Sequence, residues 1–151
     1  MPAVTFNLYD LYRKNSFNGG AVDIDAATLK MAVVDGTYTV DQNLHDFFDD
    51  VVADEVTGTG YTAGGNACAS GTVTMSVGGL VTVDCADPAV WSQNGAGFSN
   101  GRRAILYDSG PGTDATRTLV GYSDDFGADK GNVDGDFTVT INAAGLYTSA
   151  R

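Results

Sequence analysis

The chain has 151 residues, 43% of them hydrophobic, with twenty glycines and three prolines, which is enough apolar material for one domain with a real core and many tight turns. Nineteen acidic against eight basic residues give a net charge of −11, which disfavours nucleic acid and anionic membrane surfaces as partners, since both are bound by basic stripes. No apolar run approaches the ~20 residues of a membrane span, and the start of the chain lacks the charged-then-apolar pattern of a signal peptide. The expectation is synthesis in a cytoplasm, where disulfides are uncommon.

In chain order, the first helix is expected from Asn7. Asn7 would cap it, Asp10 suits its positive end, and Arg13 and Lys14 suit its negative end. Phe6 and Leu11 hold the staple positions, and residues 15–20 end the helix. Residues 27–34 read as a strand, with Leu29, Met31 and Val33 alternating with Lys30 and Ala32, followed by a turn at Asp35-Gly36.

A second helix is expected next. Thr39 and Gln42 fit a capping box, and Leu44, Phe47, Phe48 and Val51 follow the spacing of one buried stripe. Asp49, Asp50 and Asp54 then crowd an end where the helix dipole disfavours anions, and His45 falls among them as a surface residue.

Residues 55–65 mark a change of character, from helices to short β segments. Four of these eleven residues are glycine. The segment 58–63 formally matches a relaxed dinucleotide-binding pattern, but it lacks the strand before and the helix after that the pattern requires. Residues 55–71 read as loop.

Residues 72–84 read as a hairpin with Val73, Met75, Val77, Val81 and Val83 on one face. A two-residue Gly78-Gly79 turn would mix the faces. A three-residue loop over Gly78, Gly79 and Leu80 sets Met75 opposite Val83 and Val73 opposite Cys85, and is preferred. That register leaves Cys68 and Cys85 roughly 16 Å apart along a strand, too far for a disulfide without a sharp bend at Ser70-Gly71, so two free thiols are expected.

Strands follow at 103–107 and 118–122. Residues 136–142 give the clearest alternation, with Phe137, Val139 and Ile141 on one side, and residues 146–148 give a last short strand after a turn at Ala144-Gly145. The chain therefore predicts a single mainly β domain, a sandwich or barrel-like sheet of six to seven short strands with two short helices near the N-terminus.

Chemistry-bearing groups are sparse. His45 with two cysteines falls short of the four ligands of structural zinc. Asp124, Asp125, Asp129, Asp134 and Asp136 offer oxygens for an irregular calcium site, but they do not fit the EF-hand spacing, and a solvated acidic loop is the preferred reading. No two carboxylates are paired as a glycosidase requires. No catalytic, cofactor-binding or metal-binding residue is assigned, and the chain is not expected to be an enzyme. Phe17, Tyr61, Trp91 and Phe98 lie in or beside glycine-rich loops and are the candidate interface aromatics, with capping of the core as the alternative for each.

The order of four motifs adds a resemblance. Phe6-Asn7-Leu8-Tyr9-Asp10 comes first, then Asp54-Glu55-Val56 leading into Gly58-Thr59-Gly60-Tyr61-Thr62-Ala63-Gly64-Gly65. Leu119-Val120-Gly121-Tyr122 with Phe126-Gly127 follows, and Asp134-Gly135-Asp136-Phe137-Thr138-Val139-Thr140 closes the series. This order resembles small virion structural proteins of tailed bacteriophages. The resemblance implies a capsid decoration (cement) protein on the head surface, a homotrimer whose partner is the major capsid protein. The alternatives are a tail or head-fibre component and, from another class, a glycan-binding or hydrolytic module on the virion surface.

Overall fold

The computed structural model describes residues 3–20 and 22–149. Among the described residues the fold is mainly β, with eight strands in two antiparallel sheets. The strands are β1 (Phe6–Leu8), β2 (Leu29–Asp35), β3 (Asn66–Ala67), β4 (Thr72–Met75), β5 (Val81–Asp84), β6 (Gly101–Asp108), β7 (Leu119–Ser123) and β8 (Tyr147–Ser149). The larger sheet runs β1-β7-β6-β2-β3 and the smaller β4-β5-β8.

The centre of the larger sheet is β2 against β6, from Leu29 opposite Asp108 to Val34 opposite Arg103. Met31, Ala32, Val33 and Val34 are all buried, so β2 is covered on both faces, not on one as its alternation implied. On the face carrying Ala32 and Ile105, Phe48 stacks on Tyr107 with centroids 4.1 Å apart, and Tyr9 meets Tyr122 at 5.0 Å. On the other face Gly101 sits between Val33 and Phe98.

The first helix, α1, spans Asp10–Phe17, with Tyr9 at its N-cap position, two residues later than the cap expected at Asn7. Asn7 is instead in β1, opposite Tyr122. The helix has no side-chain cap, and the Gln42 carbonyl accepts from the Asp10 N–H, so a distant loop fills the role expected of Asn7.

The second expected α-helix is replaced by two 3-10 turns, Phe48–Asp50 and Val52–Asp54. Strand pairing overrides the helical period there. The Asp46 carbonyl accepts from Leu119 N, Phe48 N donates to Arg117 O, and Phe47 bridges Thr118. Leu44, expected on the buried stripe, is 71% exposed. The aspartates are also better placed than a helix C-terminus would allow: one Asp50 oxygen accepts from Asp46 N at 2.9 Å and Phe47 N at 3.4 Å.

The hairpin keeps its expected faces in another register. Val73 lies opposite Val83 and Met75 opposite Val81. Ser76 N donates to Leu80 O, so the loop is Val77-Gly78-Gly79, one residue earlier than expected, with both glycines at positive φ. The two-residue shift preserves the side-chain parity that the sequence argument rested on.

Residues 136–142 are extended but form no ladder. Phe137, Val139 and Ile141 are buried as expected. Their backbone partners change along the segment: Phe137 exchanges bonds with Trp91, Thr140 O accepts from Val4 N, and Ile141 N donates to an Asp87 carboxylate oxygen.

The two cysteines are unbridged, as expected, but they are neighbours and not roughly 16 Å apart. Ser70 takes φ 55°, which makes the bend at Ser70-Gly71, and Ala86 N donates to Ala69 O at 2.8 Å, bringing the segment after β3 alongside the end of β5. Both side chains are buried. Contact with the Cys85 thiol, and then burial, push the Cys68 thiol far above its ordinary value. Native protein titrated with a thiol-specific disulfide reagent at neutral pH is expected to react at neither cysteine within the time in which denatured protein reacts at both. Rapid labelling of either in the folded state would contradict this packing.

Candidate interaction surface

The four aromatics named from the sequence separate sharply. Phe17, at the end of α1, is 90% exposed. Trp91 and Phe98 are each 1% exposed and belong to the core, and Tyr61 is half-buried against it. Phe17 is fully open to a partner and Tyr61 only partly so; Trp91 and Phe98 are corrected from interface candidates to core residues, the alternative weighed for each.

Tyr61, Trp91, Phe98 and Phe137 form one aromatic cluster. Tyr61 stacks on Trp91 at 6.1 Å and meets Phe98 edge-on at 5.4 Å, and Phe137 contacts both Trp91 and Phe98. The indole Nε1 of Trp91 has no partner among the described residues, so packing is what this ring contributes.

The cluster explains the 55–65 stretch. β3 pairs with only two residues of β2, leaving the rest of that edge to be covered. Val56 N donates to Val33 O, Glu55 bridges Val34, and Val33 N donates to Tyr61 Oη at 2.9 Å. Tyr61 Oη in turn donates to Glu55 Oε1 at 2.6 Å, and Gly64 N donates to that same oxygen at 2.6 Å. Tyr107 Oη donates to Gly64 O at 2.8 Å. The glycine-rich motif is therefore a cover for a sheet edge, with the Glu55 carboxylate and the Tyr61 hydroxyl bonded inward.

Burial raises the Glu55 carboxyl above its ordinary 4.5, and the bonds from Tyr61 and Gly64 offset this only in part. The sign follows from linkage: the folded state binds this proton more tightly than the unfolded chain does. Its contribution to stability is present below pH 4.5 and is lost as pH rises through the folded value. Glu55→Gln keeps an Oε1 for both donors. Its melting temperature relative to the parent is expected to become more favourable as pH rises across this window; a difference independent of pH would refute the assignment.

Four of the five acidic residues considered for calcium are engaged by protein groups. Asp124 accepts from Asn7, Asp136 accepts from Gln93 N, and Asp125 and Asp129 pair with Arg102 at 2.8 and 3.4 Å. Burial acts to raise the Asp125 carboxyl, but the Gly127 N–H and the Arg102 guanidinium outweigh it and hold it below its ordinary value. Among the described residues no three His, Cys, Asp or Glu side chains are grouped to hold a metal ion. His45, expected at the surface, is half-buried and bonded through Nδ1 to Tyr38 Oη at 2.9 Å, which meets Tyr9 Oη at 2.8 Å.

Sequence reasoning missed two features. Asn132 is fully buried and ties three loops together: its side chain donates to Ser92 O and Thr59 O and accepts from Phe98 N. The other is an exposed apolar tract on the hairpin, where Met75 is 76% exposed and Val77 fully exposed. The alternation of Val73, Met75 and Val77 was legible; that the face runs past the core into solvent was not.

Among the described residues no helix is long and apolar enough to cross a membrane. Comparison with family models, with curated proteins and with solved structures finds no match.

Proposed function

We propose that this chain is a structural component of a tailed-bacteriophage virion, a decoration protein that docks on the head and bridges major capsid subunits. The observation that carries the reading is how the polar and apolar groups are spent. The buried and half-buried polar side chains Glu55, Tyr61, Tyr107 and Asn132 are engaged in holding loops in place. The groups offered outward are apolar, Phe17, Leu44, Met75 and Val77, set on a strongly acidic chain. That combination suits a part that works by its surface. The acidic loops would meet basic patches on the shell, giving docking that weakens with salt.

The test is co-sedimentation of the purified protein with capsids assembled without it, across a salt series. Saturable binding that weakens as salt rises is expected, and no co-sedimentation at low salt would reject the reading. Antibody labelling of intact virions in negative stain locates the protein: label over the head agrees, whereas label confined to the tail would make it a tail or fibre component.

A further inference from the structure

We propose that Asn18 is a site of spontaneous covalent modification: in the folded protein the backbone nitrogen of Gly19 displaces its side-chain amide, and the ring so formed opens to aspartate or isoaspartate, in preference to the other Asn-Gly pairs of the chain. The inference does not depend on the virion reading.

The chain contains three such pairs, Asn18-Gly19, Asn94-Gly95 and Asn100-Gly101. Asparagine is chemically labile, and a following glycine leaves the attacking nitrogen unshielded and the backbone free to turn. The steps balance with water alone. Gly19 N forms a bond to Asn18 Cγ, the Cγ–Nδ2 bond breaks, and ammonia leaves with the proton from Gly19 N. Water then opens the imide. Attack at Cγ gives aspartate, and attack at the main-chain carbonyl carbon gives isoaspartate.

The reaction needs rotation about the asparagine Cα–C bond, and the fold decides which pair can make it. Gly101 is buried at the start of β6. Its N–H donates to Lys130 O at 2.8 Å, Lys130 N donates back to Gly101 O at 2.9 Å, and Asn100 Nδ2 donates to Asp35 at 3.3 Å. The attacking nitrogen of that pair is held in an antiparallel bridge. At Asn94 the side chain itself is tied, since its Oδ1 accepts from Ala96 N at 2.9 Å. Asn94 O accepts from Gly97 N at 2.8 Å, and Ala96 O accepts from Thr59 N at 2.9 Å.

Asn18 is different. It is exposed, at the C-cap of α1 with φ −97° and ψ 6°. Gly19 follows at φ 74°, and Gly20 N donates to Asn15 O at 3.1 Å, the outer bond of a Schellman turn. The companion bond, from Gly19 N to Ser16 O, is not made. Among the described residues neither Gly19 N nor the Asn18 amide has a partner. An atom added to Gly19 or Gly20 meets nothing within 4 Å, so the ring has room to form. Closing it disturbs the Gly20 bond at a helix end that frays, where the other two pairs must each open several.

The product alters the surface beside Phe17, the most exposed aromatic of the four named from the sequence. Either form adds a carboxylate at the negative end of α1. Isoaspartate also lengthens the backbone by one carbon inside the turn that the Gly20–Asn15 bond closes.

The test is incubation of the folded full chain in warm, mildly alkaline buffer, followed by peptide mapping with mass spectrometry that resolves aspartate from isoaspartate. Asn18 is expected to convert about tenfold or more faster than Asn94 or Asn100, because each further bond that must open slows those sites. In guanidinium-denatured protein the three rates should converge. Asn18→Gln, at an exposed position, should leave the melting temperature unchanged and remove the first acidic species seen on isoelectric focusing. Equal rates at the three sites in folded protein, or an acidic species that persists in Asn18→Gln, would overturn the proposal. So would a bias toward Asn18 that survives denaturation, since the fold would then not be what selects it.

Discussion

Asn132→Asp is expected to destabilise the protein by about 3–5 kcal/mol near neutral pH, a fall in melting temperature of roughly 10 °C or more. The side chain has no solvent exposure. Its amide nitrogen donates to Ser92 O at 2.9 Å and to Thr59 O at 3.3 Å, and its oxygen accepts from Phe98 N at 3.0 Å. The backbone adds two more ties, Asn132 N to Phe98 O and Asn94 N to Asn132 O. A carboxylate keeps the bond from Phe98 N but turns both donations into contacts between a charge and carbonyl oxygens, out of reach of water. Burial and those carbonyls must raise the new carboxyl above its unfolded value, so the folded state takes up a proton first. The deficit should therefore shrink as pH falls toward about 4. Asn132→Ala serves as the control, since it loses all three bonds and its deficit should not vary with pH in this way. Thermal melts of both variants at the two pH values decide the matter, and an Asn132→Asp deficit that grows on acidification would show that these carbonyls do not surround the side chain.

What the sequence made legible was the sidedness of the strands. Phe137, Val139 and Ile141 are buried where their alternation put them, and Val73, Met75 and Val83 share one face despite a shifted register. Period two reports which side chains point inward and says nothing about which backbone lies alongside. The 136–142 segment therefore read as a ladder strand and is instead bonded in turn to Trp91, Val4 and Asp87. The helix expected over residues 44–51 failed for the converse reason. Its spacing was correct for Phe48 and Val51, which are buried, but residues 117–119, leading into β7, take up the backbone of Asp46 and Phe48 in place of helical bonds. Long-range pairing of this kind leaves no local trace.

The aromatics show the same limit at the candidate surface. Tyr61, Trp91 and Phe98 lie in glycine-rich sequence, which suggested exposed loops. Those loops fold back across the sheet and carry the rings inward, leaving Phe17 as the one of the four that faces solvent. Glycine content signalled close backbone approach, and here it is approach to the protein's own sheet. Asn132 had no signal at all: a polar residue in an acidic loop gives no hint that it will be a fully buried tie.

Gly65→Ala is expected to be at least as damaging, by 3 kcal/mol or more on an order-of-magnitude scale. Two separate effects act at this position. Gly65 has φ 71°, where a side chain is strained. An added Cβ would also lie 1.9 Å from Met31 O and 2.6 Å from Ala32 Cα, both backbone atoms of the central strand β2, which cannot move aside as a side chain would. The segment would have to lift from the sheet. Lifting it strains the adjoining Gly64, whose N–H donates to Glu55 and whose carbonyl accepts from Tyr107, and so loosens the Tyr61 strut on Val33. Gly127→Ala separates strain from clash, since Gly127 has φ 77° but open space around the added atom. It should cost about 1 kcal/mol. Chemical denaturation of the two variants gives the comparison. If they lose equal stability, strain alone governs both sites and the 55–65 segment is not pressed against β2; a deficit several-fold larger at Gly65 measures how closely that segment must approach to close the sheet edge.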